Sequence, residues 1–69
     1  MEKLQIQGEY IQLDKMLKFV DLVQSGGHAK IMIQEGEVKV NGITEYKRGK
    51  KLKEGDVVEV EGIKILITK

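Results

Sequence analysis

Apolar and polar residues alternate at the start of the chain, Leu4-Gln5-Ile6-Gln7, and the alternation stops at Gly8. A period of two predicts a short strand with one apolar face, placed at a sheet edge. From Leu13 the period lengthens. Leu13, Met16, Leu17, Val20, Val23 and Gln24 share one side of a helical wheel, which predicts a helix over residues 11–24. Its opposite side carries Lys15, Lys18 and Leu22, and Phe19 is assigned to the core. Ser25-Gly26-Gly27 interrupts this helix, because glycine accepts left-handed backbone angles and serine caps a new helix start. A tight helix-turn-helix is the consequence. The second helix, over residues 27–34, turns Ala29, Met32 and Ile33 inward and stops at Gly36.

After Gly36 the period returns to two. Val38 and Val40 form a strand, Asn41-Gly42 has the composition of a two-residue hairpin turn, and Ile43 to Tyr46 return. Lys47-Arg48-Gly49-Lys50-Lys51-Leu52-Lys53 cannot hide its charge and reads as an exposed loop anchored by Leu52. Glu54-Gly55-Asp56 turns the chain into a second hairpin, Val57 to Val60 and Ile63 to Ile67, joined by Glu61-Gly62. The predicted order is one strand, two helices and four short strands, in one domain over residues 1–69.

Composition narrows the function. In 69 residues there is no cysteine, so thiol chemistry, thiolate metal sites and disulfides are excluded. No apolar run exceeds three residues, which leaves neither a membrane span nor a signal-peptide core and makes the cytoplasm the expected home. The net charge of +1 argues at first against a nucleic-acid partner, but it is unevenly spread. Residues 38–53 hold five Lys, one Arg and one Glu, net +5, between flanking segments of net −2 each.

Catalytic constellations are missing. Ser25 is the one hydroxyl near a base, His28, with no orienting acid, so capping explains it more simply. One His and scattered acids give no metal-ligand spacing, and Gly26-Gly27 lacks the strand-first glycine pattern of nucleotide folds. Neither cofactor nor small-molecule substrate is expected. Tyr10, Phe19 and Tyr46 are too few for a base-stacking platform; the two tyrosines are assigned to hairpin or edge packing.

The ordered pattern Leu13-Asp14-Lys15, Ser25-Gly26-Gly27-His28-Ala29-Lys30, Gly36-Glu37-Val38-Lys39-Val40-Asn41-Gly42 and Gly55-Asp56 resembles the S4 RNA-binding domain. With the following Lys-Arg-Gly-Lys-Lys-Leu it is most similar to the short stand-alone bacterial members of that family. The resemblance covers residues 9–62. It implies an α+β fold in which a helix-turn-helix-like pair, the αL RNA-binding motif, packs on a small, mainly antiparallel sheet of four to five short strands. It also implies a non-catalytic protein that binds structured RNA, ribosomal RNA in particular, with a role in ribosome assembly or translation.

By position, the resemblance puts RNA contacts at Lys15, Ser25 and Lys30. Many family members carry Arg before the Leu-Asp pair and again after the turn Ser, where this chain has Gln12 and Gly26. The basic segment is expected to take over that charge. The expected RNA-binding set is therefore Lys15, Lys18, Ser25, Lys30, Lys47, Arg48, Lys50 and Lys51, with Lys39 and Lys53 secondary; Arg48 suits a bidentate phosphate contact. Two other readings compete. One is an adaptor that docks its basic loop on an acidic protein; the other is a helix in a DNA major groove, for which only Lys30 and His28 project as base readers.

Overall fold

A computed structural model describes residues 1–69. Seven strands and two helices follow one another: β1 (Glu2–Gln5), β2 (Ile11–Gln12), α1 (Leu13–Phe19), α2 (Gly26–Gln34), β3 (Val38–Val40), β4 (Ile43–Thr44), β5 (Lys51–Leu52), β6 (Val57–Val60) and β7 (Ile63–Thr68). Five strands make one sheet in the order β1-β7-β6-β3-β4, and β2 pairs with β5 in a separate two-stranded ribbon. The five-stranded sheet is antiparallel except at β1, which runs parallel to β7 along its edge. The edge placement agrees with the sequence reading. This is the α+β arrangement expected from the helical pair and the hairpins.

Both hairpins turn as their sequences dictate. Asn41 and Gly42 have φ of 54° and 84°, Glu61 and Gly62 have 52° and 76°, so each pair has the two positive φ values of a type I′ turn. The core lies between one sheet face and the helices. Val38, Val40, Val58, Val60, Ile65 and Ile67 from the sheet meet Leu13, Met16, Leu17, Ala29, Met32 and Ile33 from the helices, all buried.

The first helix is shorter than its periodicity predicts. Residues 11–12 are strand, and α1 ends at Phe19 because Asp21 takes φ of 61°, a left-handed conformation usually given to glycine. Leu22 N–H donates to the Leu17 carbonyl at 3.0 Å and Asp21 N–H to Lys18 at 3.1 Å, the paired bonds of a Schellman stop. Val23 still reaches the core, from the connector rather than from the helix. Phe19, assigned to the core from the sequence, is instead 70% exposed. The α2 helix begins one residue earlier than predicted and is capped by Ser25, whose Oγ accepts from His28 N–H at 3.1 Å. It ends in a second Schellman stop, Glu37 N–H to Met32 and Gly36 N–H to Ile33, with Gly36 at φ of 78°.

The returning strand after the first hairpin is also shorter than read. β4 stops at Thr44, and Tyr46 leaves it to stand over the α2 terminus, where a Cβ added at Gly36 would lie 3.3 Å from Tyr46 Oη. No helix is long and apolar enough to cross a membrane.

Candidate nucleic-acid interface

The basic segment is not a free loop. Leu52 is fully buried, and Lys51–Leu52 pairs antiparallel with Ile11–Gln12, Ile11 opposite Leu52 and Gln12 opposite Lys51. Burying a leucine side chain is worth about 1.5–3 kcal/mol, enough to hold a short loop in place. The Lys50 N–H donates to the Lys47 carbonyl at 3.1 Å, which closes Lys47 to Lys50 into a turn around Gly49.

Two main-chain bonds then join this turn to the first helix. Leu13 N–H donates to the Lys50 carbonyl at 2.8 Å, and Asp14 N–H donates to the Arg48 carbonyl at 3.0 Å. The first N–H groups of a helix have no partner within it, and Gln12, at the cap position, contributes no side-chain bond. The basic turn fills that role with its own carbonyls. Its side chains are left free to point away while its backbone is fixed against the start of α1.

The electrostatic result is a concentrated positive surface. Lys47, Arg48, Gly49, Lys50, Lys51 and Lys53 line one open depression with no apolar side chain in it. The one close ion pair of the chain joins Lys69 to Glu9, so none of these cations is in direct contact with a carboxylate. Glu45, the acid of the basic segment, turns its carboxylate to the Lys47 N–H instead, at 3.1 Å. Lys51 Nζ stands 4.9 Å from the centre of the Tyr10 ring, a cation–π contact that orients it across the ribbon. Directly opposite residues in an antiparallel pair share a face. Lys51 therefore supplies a cation beside Gln12, where many members of the resembled family carry Arg.

The remaining expected site residues divide. Lys15 and Lys18 are exposed on α1 and flank a shallow depression with Phe19, which shares no lining residue with that of the turn. Ser25 and Lys30 belong to α2; both are exposed, but no hydrogen bond or shared depression ties them to the turn. Lys39 lies apart. Its neighbours Val38 and Val40 face the core, so Lys39 points from the opposite sheet face, across from Glu59 and Thr44. Lys53 joins the turn.

Behind the turn, the Asp56 side chain holds two connections. Its carboxylate accepts from Lys53 N–H at 2.8 Å and from the Asn41 amide at 3.1 Å. Partial burial by itself pushes the Asp56 carboxyl up, but those hydrogen bonds and the charges of Lys50 and Lys53 together outweigh it and hold it below the ordinary aspartate value. The sequence reading missed Tyr10 and Phe19 as surface features. Their signal was present only as aromatics next to lysines, Phe19 directly after Lys18. No group of three or more His, Asp or Glu is gathered where it could hold a metal ion.

The S4 domain profile matches residues 4–68, nearly the whole chain. The chain belongs to the S4 domain family. It is 49% identical over 59 residues to a probable ribosome maturation protein, RlbA of Bacillus subtilis, covering 86% of this chain and 83% of that protein. It is 38% identical over 53 residues to the putative RNA-binding protein YbcJ of Escherichia coli, covering 77% and 76%. The solution structure of E. coli YbcJ, which reveals an αL motif involved in RNA binding, superposes with a TM-score of 0.75 at 30% identity, over 100% of this chain and 89% of that one. Heat Shock Protein 15 of Vibrio cholerae, a trimer in its structure, superposes with the same TM-score of 0.75 at 26% identity. This chain covers 88% of its own length there and spans 65% of the heat-shock protein.

Proposed function

We propose that this S4 domain is a non-catalytic RNA-binding protein of the cytoplasm that meets structured RNA, ribosomal RNA in particular, in ribosome assembly or translation. The observation that carries the reading is the pair of bonds from Leu13 and Asp14 N–H to the Lys50 and Arg48 carbonyls. They fix a basic turn free of direct ion pairs against the start of α1, so that Lys47, Arg48, Lys50 and Lys51 are held in place next to the helix that carries Lys15. Preorganised cations lose less freedom when they meet phosphate. Lys18 adds a cation further along α1, and Ser25 and Lys30, at the start of α2 and on it, supply a second, separate set of contacts. The Ser25 hydroxyl accepts the helix-cap bond and keeps its own proton to donate to a phosphate oxygen. The names of the relatives, a ribosome maturation protein and an RNA-binding protein, support the same direction.

Filter binding against ribosomal RNA tests it. With three to five phosphate contacts, the log–log salt slope is on the order of −3 to −4.5, using the duplex DNA coefficient. Neutralising Lys47, Arg48, Lys50 and Lys51 together abolishes most of that slope and of the affinity. An unchanged affinity in that variant defeats the proposal, and partners that survive ribonuclease treatment in a pull-down favour the adaptor reading instead.

A further inference from the structure

A depression lined mainly by apolar side chains sits beside the cations rather than away from them. Leu4, Ile6, Tyr10, Ile11 and Phe19 line it, with Gln5 and Gln7 also contributing, and its volume is about 390 Å³. That is within the range of small-molecule sites, roughly 300–1,000 Å³. Phe19 is 70% exposed and Tyr10 45% exposed, both costly for aromatic rings left in water.

Phe19 is a ridge between two surfaces. On one side it lines the apolar depression with Tyr10, and on the other it lines the depression of Lys15 and Lys18. A further charge stands at the Tyr10 end, just outside the lining, because Lys51 Nζ lies 4.9 Å from the Tyr10 ring centre. A ligand that fits here is flat and apolar over its faces, carries negative charge on both flanks and offers polar edges to the exposed Gln5 and Gln7 amides. A nucleobase on a phosphodiester backbone has all of these properties. A paired base keeps its faces stacked on its neighbours, so the base must be unpaired.

We infer that the Tyr10–Phe19 depression receives an unpaired nucleobase of the bound RNA, with Lys15 and Lys18 on one side and Lys51 on the other holding the adjoining phosphates. The inference rests on the RNA-binding reading and deepens it. It divides recognition in two: the basic turn supplies affinity for any phosphate backbone, and the aromatic depression selects RNA that exposes a base.

The test uses an RNA hairpin with an unpaired loop and an uninterrupted duplex built from the same stem. Phe19→Ala lowers affinity for the hairpin about 5- to 100-fold, the range of one stacked base, and changes duplex binding less than about twofold. The salt slope stays the same, because stacking releases no counterions. Phe19→Trp retains hairpin affinity and gives the chain its one tryptophan. Its fluorescence is quenched by the hairpin and not by a hairpin whose loop is abasic. Equal losses on hairpin and duplex, or no loss on either, overturn the inference while leaving RNA binding standing. Failure of the unaltered protein to bind either RNA overturns both together. Because Phe19 is mostly exposed, its replacement leaves thermal unfolding close to that of the parent chain.

Discussion

The Asn41 amide donates to the Asp56 carboxylate at 3.1 Å, and Asn41 Oδ1 accepts from Val57 N–H at 2.9 Å. One side chain thus ties the first hairpin turn to the turn that enters β6. The same carboxylate accepts from Lys53 N–H, so the end of the basic segment is fixed by residues that carry no positive charge. Asn-Gly and Gly-Asp, two marks of the resemblance, have a structural use: they set where the basic segment ends.

Asn41→Ala removes both side-chain bonds and leaves a residue with a Cβ, but no compensating polar group, at a φ of 54°. A loss on the order of 2 kcal/mol is expected, from the unmade bonds and the left-handed backbone. Urea unfolding of the variant beside the parent measures it.

Stability also follows the Asp56 proton. Its folded pKa is depressed while the unfolded one is ordinary, near about 3.9. The charged form therefore stabilises the fold fully above the unfolded value, and that contribution is lost as pH falls through the folded value. In urea titrations across the acidic range, Asp56→Asn is expected to show a shallower fall in stability on acidification than the parent.

Gly36 is restricted twice, by its φ of 78° and by the Tyr46 hydroxyl 3.3 Å from where a Cβ would stand. Gly36→Ala is expected to cost about 1–2 kcal/mol from the backbone alone, plus a contact cost. Adding Tyr46→Phe to that variant recovers the contact part and not the backbone part. A double-mutant cycle on thermal melts separates the two.

Ser25 has two assignments that one substitution separates. Ser25→Ala loses the α2 cap and about 1 kcal/mol, whereas Ser25→Asp keeps a capping oxygen and the stability. If phosphate passes this helix start, Ser25→Asp nonetheless weakens RNA binding by charge repulsion. Melting temperature and filter binding, measured on both variants, are expected to disagree for Asp and agree for Ala.

Lys39 and Arg48 belong to the same basic stretch of sequence but to opposite situations in the fold. Arg48→Gln is expected to flatten the salt slope by about one unit, near the coefficient for one phosphate. Lys39→Gln, on the outer face across from Glu59, leaves the slope unchanged. Binding isotherms at several salt concentrations check the pair.

The hairpins and α2 were legible because their signals are local. Asn41-Gly42 and Glu61-Gly62 demand positive φ, and Ala29, Met32 and Ile33 keep one helical face. The first helix was over-read because its apolar stripe runs through Asp21 to Val23, and an aspartate in a left-handed stop announces itself less clearly than glycine. Phe19 was assigned to the core as an aromatic residue although it lies off that stripe, and it is exposed. The β2–β5 ribbon has two residues on each side, too few for any period, and its strands lie far apart in the chain. The basic charge of the site could be counted from the sequence; its attachment to α1 could not, since carbonyl oxygens of Arg48 and Lys50 make it and every residue type has one.

The parallel pairing of β1 with β7 sets Glu2 beside Ile65 and Gln5 beside Thr68. In chain order β1 comes before both helices and the first hairpin, whereas its only partner, β7, is the last strand. The sheet edge is then the last piece to close, across the longest loop in the molecule. Leu4 and Ile6, buried in the fold, are covered only once that long-range edge has closed, which leaves them exposed in any state that lacks it.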